Sequence, residues 1–147
     1  MTSTTRRFGA TLLAVACACG AASAWAHDDA AIAKLQAPHG GQMRVAGPYH
    51  FELVLARDGD PAAERQLVLH VTDHDGRKID TRSATGSATL LAAKTRASVS
   101  LAPAGDNRMQ ALVRYAASAD LKAVVSFTLP GKAAEQARFT PFAGKAP

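Results

Sequence analysis

After about residue 40 the chain alternates apolar and polar positions with a period of two, the mark of strands that bury one face. Tyr49, Phe51, Leu53 and Leu55 share one side of residues 49–55. In 66–72, Leu67, Leu69 and Val71 face one way, and Val68, His70 and Thr72 the other. Met109, Ala111, Val113 and Tyr115 alternate within 108–115, as do Ala123, Val125, Phe127 and Leu129 within 122–129. Shorter candidates fall at 78–81, 87–93, 97–101 and 137–140. Turn residues separate them: Asp58-Gly59-Asp60-Pro61, Asp73-His74-Asp75-Gly76, Pro103-Ala104-Gly105-Asp106-Asn107 and Pro130-Gly131. Short strands spaced by such turns predict an all-β domain over 38–142. The expected architecture is an antiparallel β-sandwich, immunoglobulin-like or cupredoxin-like, with a short tail at 143–147. No long helix and no internal repeat is expected.

The first 26 residues follow a different pattern. Arg6 and Arg7 precede an apolar run from Phe8 to Ala18, and small residues lead to Ala24-Trp25-Ala26. A charged start, a short apolar stretch and an A-x-A site predict a cleaved signal peptide and export to the periplasm. The run is too short to span a bilayer, and no later stretch approaches that length, so no stable membrane insertion is expected. Cys17 and Cys19 raise the alternative of lipidation, but the positions before them lack the usual leucine. Residues 27–37 read as a flexible N-terminal segment.

Cleavage after Ala26 removes both cysteines. That excludes a disulfide framework, a thiolate metal site and a cysteine nucleophile from the mature chain. The formal charge of +5 falls to about +3, and the remaining Lys and Arg are scattered. With few aromatic residues beside them, a nucleic-acid surface is not expected. No G-x-S-x-G or H-E-x-x-H pattern and no glycine-rich phosphate loop occurs, so the chain reads as a binding domain rather than an enzyme.

Chemistry concentrates in the histidines, all of which precede residue 75: His27, His39, His50, His70 and His74. Cleavage would make His27 the first residue, offering an α-amine and an imidazole, a donor pair that suits copper(II). A hairpin turning at Ala46-Gly47 would pair Met43 with His50 and put His39, Gly41, Met43, His50 and Glu52 on one sheet face. Thioether beside imidazole is a copper-type ligand set, above all for copper(I). His70 and His74 are further candidates, although Asp73-His74-Asp75-Gly76 also reads as an ordinary turn. The metal candidates are therefore His27, His39, Met43, His50, His70 and His74, with copper as the expected ion.

The strings Pro38-His39-Gly40-Gly41-Gln42, Tyr49-His50-Phe51-Glu52-Leu53-Val54, Thr72-Asp73-His74-Asp75-Gly76 and Pro103-Ala104-Gly105-Asp106-Asn107 resemble small periplasmic proteins of proteobacteria. The His-Gly-Gly opening is similar to the N-terminal accessory region of heavy-metal efflux adaptor subunits. The resemblance spans roughly 38–140 and implies a role near metal resistance or efflux. It implies partnership with such an adaptor or another envelope protein, and it brings no established ligand set. His27 alone resembles the N-terminal ligand of small periplasmic copper-resistance sandwiches, and the methionine-rich loop of those proteins is missing. The competing expectation is a metal-free sandwich that binds another envelope protein through a sheet edge or face.

Overall fold

The computed structural model describes residues 37–144. The expected signal peptide, Cys17, Cys19 and His27 therefore lie outside the described residues. Eight strands and no helix make up the described chain: β1 (Gln42–Ala46), β2 (Tyr49–Leu55), β3 (Arg65–Asp73), β4 (Thr85–Ala92), β5 (Thr95–Pro103), β6 (Arg108–Val113), β7 (Lys122–Thr128) and β8 (Glu135–Phe139). All neighbours are antiparallel, in the order β1-β2-β3-β6-β5-β4-β7-β8.

Strand β5 links the two halves of this sheet. Its length from Thr95 to Leu101 pairs with β4, while Ala102 and Pro103 pair with Gln110 and Met109 of β6. The two outer strands also approach each other, where the Thr140 backbone N–H donates to Gln42 Oε1 at 2.7 Å. The sheet is thus nearly closed, which leaves little exposed edge.

The period-two pattern explains what lies inside. Phe51 and Leu53 of β2, Leu67, Leu69 and Val71 of β3, Met109 of β6, and Val125 and Phe127 of β7 are all buried. Across the core the Phe127 ring meets Phe51 edge-on at 5.7 Å and Tyr49 at 5.6 Å. Burial of each large apolar side chain stabilises the fold by about 1.5–3 kcal/mol.

Two local expectations are corrected. The first hairpin turns at Gly47-Pro48, not Ala46-Gly47, because Ala46 pairs with Tyr49 and Val45 with His50. Gly47 takes a positive φ of 55°. Pro48, which has no N–H to give a ladder, sits in the turn rather than opposite Val45. Residues 78–81 form only an isolated bridge, Thr72↔Lys78. There the Asp80 carboxylate accepts the Arg82 N–H at 3.0 Å and bends the chain out of a ladder.

Candidate metal site

The register of β1, β2, β3 and β6 builds two parallel rows of side chains on the outer face of that half of the sheet. One row runs Met43–Glu52–His70–Arg108, the other Val45–His50–Thr72. The corrected turn moves every β1 partner by two residues. Because side chains alternate with period two, Met43 and His50 stay on one face. Met43 is now opposite Glu52, and His50 is its diagonal neighbour.

The Pro38-His39-Gly40-Gly41 segment folds back over these rows. A turn closes it, with Gly40 N–H donating to the Ala37 carbonyl at 3.1 Å. Gly40 has a φ of +76°. Gly41 is needed for a different reason: a Cβ there would lie 2.4 Å from the Leu53 carbonyl oxygen. Only glycine lets the segment lie this close to β2.

Glu52 fastens the segment. Its Oε1 accepts the backbone N–H of His39 at 2.8 Å and of Gly41 at 3.0 Å. Its Oε2 lies 2.7 Å from His39 Nδ1. Glu52 is only 4% exposed, so its carboxylate needs these partners. With a carboxylate as acceptor, the His39 Nδ1 must carry the proton. In a neutral ring, that leaves the lone pair on Nε2. A carboxylate that sets the tautomer of a histidine is the usual outer partner of a metal-binding imidazole.

The His39 ring lies on the His70 ring, with centroids 3.6 Å apart and planes 5° from parallel. His70 is 9% exposed, and its Nδ1 has no hydrogen-bond partner. Burial is the main force pushing the His70 pKa below its ordinary value of 6.5, and the neighbouring His39 and Arg108 push the same way. Glu52 and the nearby Asn107 side chain oppose them. His70 therefore sits in the fold as a neutral ring over most of the physiological range.

A cleft of about 50 Å³ opens between the segment and the sheet, lined by His39, Met43, His50, Glu52, His70 and Asn107 among others. It has room for an ion and little more. Four of the six residues singled out as metal candidates thus share one cleft. His74 stands outside it: its ring packs against His50 at 4.6 Å, and its Nε2 lies 3.0 Å from the Gly47 carbonyl. The Asp73–Gly76 segment behaves as a turn, with Asp73 Oδ1 accepting the N–H groups of Asp75 and Arg77.

Among the described residues, no group of three or more His, Cys, Asp or Glu is arranged to hold a metal ion. The stacking gives a physical reason. Stacked imidazoles hold their in-plane lone pairs in nearly parallel planes, so His39 and His70 do not converge on one point. Glu52 spends its oxygens on the loop. Sequence reasoning had placed Glu52 on this face without a role, and had missed Asn107 and Arg108. The signal for Glu52 is its parity with His50, which sets both on one face of β2. No family model matches the chain, and no curated protein matches it either.

Proposed function

We propose that the protein is an exported copper-binding accessory protein that holds copper(I) at His39, Met43 and His50, as a binding protein rather than an enzyme. The observation that carries this reading is the 2.7 Å contact of buried Glu52 with His39 Nδ1, which reserves Nε2 as a donor beside a thioether and a second imidazole. A soft ion of low coordination suits such a set, whereas zinc or calcium asks for more nitrogen or oxygen ligands than the cleft gathers. His70 serves as the floor on which His39 rests. The N-terminal His27 would add an amine and an imidazole for copper(II). In this reading the protein buffers copper or delivers it to a heavy-metal efflux adaptor in the periplasm, and its nearly closed sheet is an immunoglobulin-like or cupredoxin-like sandwich.

The test is a copper(I) titration of the exported protein against a chromophoric competitor, with copper(II) followed by paramagnetic resonance. One equivalent bound tightly, and lost in His39→Ala, Met43→Ala and His50→Ala, is the expected result. Weak binding that survives all three substitutions overturns the reading.

A second reading, a metal-free protein that docks another envelope protein, is favoured by one feature. Leu112 of β6 is 61% exposed on a sheet face, an apolar side chain that such a partner would cover.

A further inference from the structure

The opposite half of the sheet carries a surface with a different character. The outward positions of β4 are Thr85, Ser87, Thr89 and Leu91, and those of β5 begin Arg96, Ser98 and Ser100. On β7 they are Lys122, Val124, Ser126 and Thr128, and on β8 Gln136 and Arg138. No carboxylate occupies any of these positions. Register places Arg96 and Lys122 directly on either side of Leu91, and Arg138 opposite Val124. Leu91 is 41% exposed. Beside it a cavity of about 280 Å³ is lined by Leu91, Lys122, Val124, Arg138, Phe139 and Thr140, among others. Asp120 precedes β7, and its carboxylate accepts the Ala93 N–H at 3.0 Å. Asp120 is felt by Lys122 through space, but Arg96, Lys122 and Arg138 form no ion pair among the described residues.

We propose that this face docks an acidic peptide segment of a partner protein, which seats one apolar side chain in the cavity between Lys122 and Arg138. Charge complementarity selects the occupant: three cations with no acid between them attract carboxylates and repel basic partners. The cavity supplies what charge alone lacks, an apolar socket for an anchoring side chain. A lipid surface is a poorer match. Three cations contribute about 1 kcal/mol each near an anionic bilayer, fewer than the clusters of four to eight that hold proteins there, and Leu91 is the sole large apolar side chain exposed on this face. The interior strands β4 and β7 are paired on both sides, so recognition runs through side chains and not through an added strand.

The surface is small, so binding is weak and salt-dependent. The probe is a short peptide of aspartate and glutamate around one central leucine, added to the isotopically labelled exported protein and followed by amide chemical shifts. Shifts confined to the neighbourhood of Leu91, Val124 and Arg138 are expected. Affinity should fall about ten-fold in Lys122→Glu/Arg138→Glu, and fall again when the peptide's leucine is replaced by serine. Both substituted residues are exposed, and the same variant should keep the dispersed amide spectrum of the unsubstituted protein, which reports an intact fold. Shifts elsewhere, no shifts, or binding indifferent to the double substitution overturn the proposal. So does binding to phosphatidylglycerol vesicles without any response to the peptide.

Discussion

The imidazoles of His39 and His70 lie face to face, 3.6 Å between centroids and 5° from parallel, with Glu52 gripping the upper ring. Two rings that close cannot both be charged without repulsion, and Arg108 stands in register beside the lower one. Burial, the stack and Arg108 therefore favour a neutral His70 ring in the fold.

Stability of the metal-free protein should consequently fall in mild acid. The folded pKa of His70 is lowered by burial, then by His39 and Arg108, against the pull of Glu52 and Asn107. A lowered histidine pKa means that the unfolded chain takes up the proton first. Stability is then level above the ordinary value of 6.5 and declines as pH drops below it, until the folded-state pKa is reached. Urea unfolding at a series of pH values measures this decline. His70→Gln should flatten it, and an unchanged slope in that variant would show that His70 is not its source.

Removing the Glu52 carboxylate should release the Pro38–Gly41 segment. Glu52→Ala leaves two backbone N–H groups and one imidazole without their acceptor, a loss of about 2 kcal/mol. Glu52→Gln keeps the shape but changes the partner of His39 Nδ1, so the ring's tautomer becomes free to change. Nitrogen chemical shifts of the His39 ring distinguish the two tautomers directly. A Gln variant with wild-type ring shifts would remove Glu52 as the group that sets the tautomer.

The two glycines of the motif should fail for different reasons. Gly40→Ala has open space around the new methyl but must hold a φ of +76°, at a cost of about 1 kcal/mol. Gly41→Ala meets the Leu53 carbonyl at 2.4 Å and has to push β2 or the loop aside, at about 2–3 kcal/mol. Denaturant midpoints rank the two. Equal losses would mean that the segment relaxes freely away from β2.

These residues also show how far the sequence could be read. Alternation located most of the strands, and it put Met43 and His50 on one face even though the predicted turn was misplaced by one residue. Face depends only on parity, so a two-residue shift in partner left it intact, while the cross-strand partners of Met43 and His50 changed. Glu52 shows the limit. A glutamate in an alternating strand reads as solvent-facing, and only the fold-back of a glycine-rich segment, a non-local event, buries it. The partner roles of Asn107 and Arg108 likewise needed the β3–β6 pairing, which joins strands far apart in the chain.

A second buried polar junction, Arg65 with Tyr115, offers a test of what holds the far end of the same sheet. The Tyr115 hydroxyl donates to the Ala56 carbonyl at 2.8 Å, and the Arg65 guanidinium stands 3.9 Å from the ring centroid while donating to the Tyr115 carbonyl. Together they tie the β2–β3 connection to the chain that leaves β6. Burial raises the Tyr115 pKa, against the pull of Arg65, so the hydroxyl stays a donor well into alkaline solution. Tyr115→Phe removes one hydrogen bond and should cost about 1 kcal/mol. Arg65→Met keeps an apolar stem but takes a donor from the carbonyls at 56, 57 and 115, of which the first keeps the Tyr115 hydroxyl, and should cost about 2 kcal/mol or more. Because Tyr115→Phe preserves the aromatic face, the ring–guanidinium attraction survives in that variant, and its coupling to Arg65→Met reports the Ala56 carbonyl that both residues bond. Pairing Arg65→Met with Tyr115→Leu instead also removes the ring, and a coupling larger by about 1 kcal/mol than in the first pair is then expected. A double-mutant cycle on urea midpoints reads both pairs. Equal coupling in the two pairs would mean that Arg65 acts through its backbone contacts alone and that its position over the ring contributes nothing.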